Sequence, residues 1–185
     1  MLSIFLIGVS LSMDAFAISV ANGLSLKNFS LKHALLMGLY FGAFQFIMPL
    51  IGCLLGGTVS SYVSAVGPYI SFCLLAFIGG KMLLDGIKSG DEDSGMLHLS
   101  HRQLLVMAVA TSIDALAVGV SFAFMENVRL IPSCALIGCT TFVISFAGAV
   151  LGSKIPNISG RKAGIIGGIV LIGIGIKLLV EGIAG

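Results

Sequence analysis

Tryptophan is absent from the 185 residues, proline occurs only four times, and charge is scarce, with 10 Lys and Arg against 8 Asp and Glu. So few charged groups cannot wet the surface of a soluble domain of this length, which excludes a soluble enzyme first. A net charge of +2 with scattered basic residues leaves no electrostatic footprint for a nucleic acid. The four cysteines, Cys53, Cys73, Cys134 and Cys139, lie in apolar runs with no C-x-x-C spacing. They indicate neither a disulfide framework nor a thiolate zinc site and read as packing residues. What is abundant is apolar: 57% of residues are in the hydrophobic set, with a mean hydropathy of +1.12. The composition is that of an integral membrane protein.

A bilayer core about 30 Å thick needs roughly 20 apolar residues per helix. Six such stretches fall between charged and Gly/Pro borders, at about 2–23, 34–57, 67–87, 103–125, 131–153 and 163–183. They are too long and continuously apolar for barrel strands, so the expected class is all-α. Ala15-Phe16-Ala17 resembles a signal-peptide cleavage site, but no basic segment precedes it and Asp14 interrupts the apolar run, so the first span is expected to be retained. Seven basic residues (Lys27, Lys32, Lys88, Arg102, Lys154, Arg161 and Lys162) lie in the first, third and fifth connections, and only Arg129 in the second and fourth. The positive-inside rule therefore places the odd connections in the cytoplasm and both termini outside. The longest connection, about 88–102, carries Asp91, Glu92, Asp93, His98 and His101, a set that could sense metal but reads more simply as a solvated loop. No linker divides the chain, so residues 1–185 are read as a single membrane domain.

Residues 12–20, SMDAFAISV, match residues 112–120, SIDALAVGV, at five of nine positions, pairing Asp14 with Asp114. The offset continues through Leu36, Gly38, Phe46 and Gly52, which recur as Leu136, Gly138, Phe146 and Gly152. GGKMLLDGI at 79–87 likewise matches GIKLLVEGI at 175–183, pairing Lys81 with Lys177 and Asp85 with Glu181. The chain thus reads as a three-helix unit written twice, at about 2–88 and 102–185. An odd number of spans per unit makes the second enter the membrane from the opposite side, giving two inverted repeats. Transporters use such halves to exchange inward-open and outward-open states around a midplane site. Duplication for stability alone would not explain charges left at the centre.

An ionised carboxylate in mid-membrane costs about 2.5 to 3.5 kcal/mol even on the lenient insertion scale. Asp14 and Asp114 both occupy such positions, each on a stripe of small residues: Ser10, Ala17 and Ala21 around the first, Ala110, Ala117 and Ser121 around the second. Small residues let membrane helices approach, so spans one and four are expected to cross with both carboxylates facing a shared cavity. The plainer alternative is a protonated Asp bonded to a neighbouring helix. Two carboxylates held together repel, and a divalent cation relieves that repulsion by replacing a proton. Oxygen donors suit magnesium, calcium or manganese, and manganese or magnesium is expected, although Met13 and Cys139 are near enough in sequence to blur the donor set.

Pro49 has no amide hydrogen for the carbonyl of residue 45, which is itself Gln45, so two further oxygens are expected at this depth unless neighbours take up the freed carbonyl. Ser12, Thr111, Ser112 and Asn22 are supporting oxygen donors of weaker standing. The i,i+4 pairs Lys81 with Asp85 and Lys177 with Glu181 fall near opposite membrane faces, as helix-end ion pairs that snorkel or as gates at the two ends of a pathway. Glycines 164, 167, 168, 173 and 175 point to close helix packing, since no Lys-Ser/Thr follows to make a phosphate loop.

The segments SMDAFA, ATSIDALAVGVSF, FGAFQFIMPLIG and GGKMLLDGIK together resemble the bacterial manganese efflux pump family, MntP, over essentially the whole chain. The resemblance implies a multi-pass exporter of manganese(II) in the cytoplasmic (inner) membrane, related to the superfamily of small amino-acid and metal exporters. It places Asp14 and Asp114 on the family's two Asp motifs, Gln45 where some members carry an acidic residue, and Asp85 on an acidic position. The direction of transport comes from this resemblance alone. The expected partners are Mn2+ and H+ as substrates and the lipid bilayer, with no nucleic acid and no resident cofactor. Export of another divalent cation or of a small amino acid is the nearer alternative. An intramembrane aspartyl protease would also use two membrane aspartates, but its G-x-G-D context is missing and proteolysis leaves the repeat unexplained. A membrane scaffold without transport is the remaining option.

Overall fold

The computed structural model describes residues 2–26, 29–88, 100–125, 129–155 and 160–184. They form six helices: α1 (Leu2–Ser25), α2 (Leu31–Leu55), α3 (Gly57–Lys88), α4 (His101–Ala123), α5 (Leu130–Ser153) and α6 (Gly160–Ala184). Each is long and apolar enough to cross a membrane. The starts of α2 and α4 are written in the sequence as capping boxes. The Ser30 side chain accepts from the Lys32 amide while the His33 ring accepts from the Ser30 amide, and Ser100 with Gln103 repeats the arrangement.

The largest departure from the hydropathy reading is the start of α3. It begins at Gly57, ten residues before the apolar run expected from 67, and its membrane window is Val66–Leu84. Hydropathy marks the stretch that faces lipid, whereas a helix runs on until something stops it. The stop here is Gly56, whose positive φ of 54° turns the chain between α2 and α3.

The principal packing partners are α1 on α5 and α2 on α4, α3 on α6, and α2 on α5, with α3 on α4 and α1 on α6 as lesser contacts. Exchanging one with four, two with five and three with six leaves this pairing scheme unchanged. Glycine makes the close approaches: a Cβ on Gly119 would strike the Pro49 backbone and one on Gly52 the Leu116 carbonyl, joining α4 to α2. On the other side Gly152 lies against Val20 and Gly23 against Ala149, joining α5 to α1. Gly42 with Gly138, and Gly79 with Gly168, face each other in the same way across α2–α5 and α3–α6. Such contacts suit a bilayer, where lipid tails are as apolar as leucine and close van der Waals packing is a main force that holds helices together.

Of the six helices in the bundle, α4 is the most enclosed and α6 the least. Half of the α4 window is buried against 28% of the α6 window. The bundle core holds Ala15, Ile18, Met37, Phe41, Leu75, Leu104, Met107, Ala108 and Leu171, while Leu2, Leu31, Leu54, Phe77 and Val143 point outward where lipid would cover them.

Candidate cation site

Asp14 lies midway along α1 and Asp114 midway along α4, each placed by an apolar helix whose small neighbours Ala15 and Ala115 are fully buried. The Asp14 side chain is only 9% exposed. Its Oδ1 accepts a hydrogen bond from the Lys177 Nζ of α6 at 2.9 Å, and the same ammonium lies 3.7 Å from Glu181 Oε2. Asp114 is half-buried, and its Oδ1 accepts from the Ala115 amide at 2.8 Å. It sits within electrostatic range of both Asp14 and Lys177. Contact between α1 and α4 themselves is narrow; each leans mainly on a helix of the other repeat, α5 and α2 respectively.

Gln45 joins the two motifs. From α2, its fully buried amide donates through Nε2 to the Leu11 carbonyl of α1 at 3.2 Å and to the Thr111 carbonyl of α4 at 3.3 Å. These carbonyls are one turn before Asp14 and Asp114, at equivalent places in the two repeats. With its nitrogen so engaged, Gln45 leaves Oε1 buried without a partner among the described residues. An orphaned acceptor in a membrane bundle is costly unless something meets it, and a cation is one such partner.

The weaker candidates divide. The Ser12 hydroxyl donates to the Val9 carbonyl at 2.8 Å and Ser112 to Val109 at 3.1 Å, matching bonds that still leave each oxygen free lone pairs. Thr111 Oγ1 donates to Met107 and Ala108 within its own helix. Asn22 is buried but committed elsewhere, donating to the Ile18 carbonyl at 2.9 Å and to Met107 Sδ at 3.5 Å. Lys81 is exposed, and the Asp85 side chain, like Asp91, Glu92, Asp93 and His98, lies outside the described residues. His101, at the α4 start, contacts Tyr40 Oη through Nδ1 at 3.0 Å. Lys177 does pair with Glu181, but its shorter contact is with Asp14 in the other half of the chain, so it belongs to the centre as well as to a helix end.

Met13 is 52% exposed and Cys139 is exposed too, so neither soft sulfur points into the bundle centre. Among the described residues no three His, Cys, Asp or Glu side chains come together. The candidate ligands offered by α1, α2 and α4 are thus carboxylates and neutral oxygens. That donor set favours magnesium, calcium or manganese over zinc or copper.

A family model described as "Putative manganese efflux pump" (Mntp) matches residues 28–179. The chain belongs to this family. Relatives named "Putative manganese efflux pump MntP" agree along nearly the full length. The Methanosarcina mazei protein is 48% identical, covering 96% of this chain and 94% of its own. That of Methanobrevibacter smithii is 46% identical over 97% and 96%, and that of Clostridium botulinum strain Loch Maree 43% over 98% and 94%. No solved structure matches.

Three buried hydroxyls escape the motif reading. Thr141 and Ser145 of α5 are fully buried with hydroxyls that have no partner among the described residues, as is Ser19 of α1. Ser145 carried a usable signal, since it stands one hundred residues after Gln45, the same offset that pairs the two aspartates. Thr141 and Ser19 carried none, because serine and threonine are common in apolar helices and bond back to their own backbone.

Proposed function

We propose that the protein is a manganese(II) efflux transporter rather than an enzyme, a secondary active and proton-coupled carrier of the cytoplasmic membrane. The observation that carries this reading is the pair of mid-helix carboxylates, Asp14 and Asp114, whose helices are bridged by one buried Gln45 with an oxygen that has no partner among the described residues. Membership of a family described as manganese efflux pumps supports the ion and the direction. The packing scheme, unchanged when the two three-helix units are exchanged, supports two inverted repeats, about 2–88 and 102–185, working as halves of one domain.

In this reading cytoplasmic Mn2+ enters between α1 and α4, displaces protons from Asp14 and Asp114, and takes Gln45 Oε1 as a neutral oxygen. Ser12, Ser112 and Thr111 line the approach as supporting oxygens. The halves then rock, and external protons release the metal. Proton return has an electrical rationale. Moving two charges out against an interior-negative potential costs about 4.6 kcal/mol per 100 mV, twice the roughly 2.3 of one charge, and two returning protons cancel it. The positive-inside count puts both termini outside.

The test is Mn2+ flux in proteoliposomes with an imposed pH gradient, with magnesium and zinc as competitors. Gradient-driven manganese flux, lost in Asp14→Asn and in Asp114→Asn while both variants insert normally, is the expected outcome. Normal flux in both variants would sink the site. No manganese movement under any gradient would shift the reading to another divalent cation or a small amino acid.

A further inference from the structure

The Lys177 ammonium is a cation already seated at the proposed site. It comes from α6 in the second repeat and reaches Asp14 in the first, 163 residues away, at 2.9 Å. A helix-end lysine that merely snorkels would point to the interface, but this one turns to a carboxylate that is 9% exposed, while remaining 51% exposed itself. A second anion stands within the same reach: Glu181, one turn further along α6, has its Oε2 3.7 Å from the same nitrogen and is 60% exposed. The ammonium therefore has two carboxylates to choose between, a buried one shared with the cation site and an exposed one on its own helix.

We propose that Lys177 is a tethered counter-cation that occupies Asp14 when no metal is bound and is displaced onto Glu181 when Mn2+ arrives. The inference rests on the reading of Asp14 and Asp114 as the cation site and deepens it by naming what the metal competes with. In the metal-free state Lys177 neutralises Asp14 once its proton has left, and a proton neutralises Asp114, while Glu181 is exposed to water. With metal, two carboxylates face one divalent ion and Lys177 pairs with Glu181. No buried charge is stranded in the exchange, which matters where an unpaired charge is most costly.

The device is one-sided. Lys81, the equivalent residue of the first repeat, is exposed, and among the described residues Lys177 is the lysine that reaches a carboxylate. Because the bond joins α6 to α1, it also ties one repeat to the other. Loading the site breaks that tie, so metal binding itself frees the halves to move, and re-formation of the bond helps expel the ion. Lys177 acts here as a positioning and competing residue, since it contacts a metal ligand rather than the metal.

The experiment measures Mn2+ binding to the purified full-length protein by the paramagnetic signal of free Mn2+, together with flux in proteoliposomes. Lys177→Met is expected to bind Mn2+ about tenfold more tightly, the low end for a charge-assisted bond because the ammonium is half exposed, and to transport more slowly, so that KM and kcat fall together. Glu181→Gln removes the displaced ammonium's partner and is expected to weaken binding about threefold, the worth of an exposed ion pair. Lys177→Arg keeps the charge and stays nearer wild type than Lys177→Met. Unchanged or weaker binding by folded Lys177→Met would overturn the proposal; if that variant fails to fold, unchanged or tighter binding by Glu181→Gln does so instead. Wild-type protein that binds no Mn2+, or Asp14→Asn that binds it as wild type does, would overturn the site reading beneath, a separate outcome from either lysine result.

Discussion

Asp14 and Asp114 sit in nearly the same words of sequence and in different surroundings. The local helices are alike to the hydrogen bond, since Ser12 and Ser112 each donate to the carbonyl three residues back. The carboxylates are not alike: Asp14 is met by Lys177, whereas Asp114 accepts from the amide beside it. The difference is made at a distance, by what the third and second helices bring in. Lys81 and Lys177 are both exposed, but among the described residues Lys177 is the one that reaches a mid-helix carboxylate, and α2 presents Gln45 where α5 presents Ser145. Two matched sequence segments thus give matched local hydrogen bonding, while unmatched side chains from neighbouring helices give the two carboxylates different partners.

The comparison can be broken most sharply at the aspartates. Asp14→Asn and Asp114→Asn are each expected to lower Mn2+ flux about 100-fold or more, beyond the 10- to 100-fold typical of losing an outer partner of a metal ligand. Loss in only one variant, measured at equal protein in the vesicles, would mean that the surroundings matter more than the motif.

Next in size comes the pair Gln45 and Ser145. Gln45→Ala removes two hydrogen bonds, each worth about 1 kcal/mol, and is expected to cut flux about tenfold. Ser145→Ala removes a hydroxyl that has no partner among the described residues and is expected to change flux less than about twofold. Equal effects would restore symmetry to the second and fifth helices.

Packing gives a third contrast. Gly119→Val would drive a side chain into the Pro49 backbone and is expected to destabilise the bundle by about 1–3 kcal/mol, read as a lower thermal midpoint in detergent. A Cβ on Gly80 meets nothing within 4 Å, so Gly80→Ala should leave the midpoint unchanged or raise it by the equivalent of at most about 1 kcal/mol. A further small effect is expected at Tyr40, whose hydroxyl meets His101 at the α4 start at an exposed position, while Thr140, at the same offset, donates to Leu136 within its own helix. Tyr40→Phe should cost about 0.5–1 kcal/mol in the same assay.

Much of this architecture is legible in the residues. Long apolar runs must be helices in a bilayer, because only there are their backbone groups satisfied. The aspartates announce themselves by their cost at mid-membrane. Two things stay hidden. The early start of α3 does, because residues 57–66 are helical without being uniformly apolar. So does the reach of Lys177 to Asp14, because spacing rules see the partner one turn away at 181 and not the one across the fold at 14. The placement of Gln45 is half legible: Pro49 draws attention to residue 45, but only the fold directs its amide nitrogen to Leu11 and Thr111 and leaves Oε1 without a partner among the described residues.

In the proposed site Asp14 and Asp114 hold one divalent cation between them, and equilibrium binding of Mn2+ to the purified chain and to Asp14→Asn, Asp114→Asn and the double variant is the decisive measurement. One ion per chain in the wild type, lost in each single variant, is the predicted result; one ion per chain retained in the double variant would contradict it.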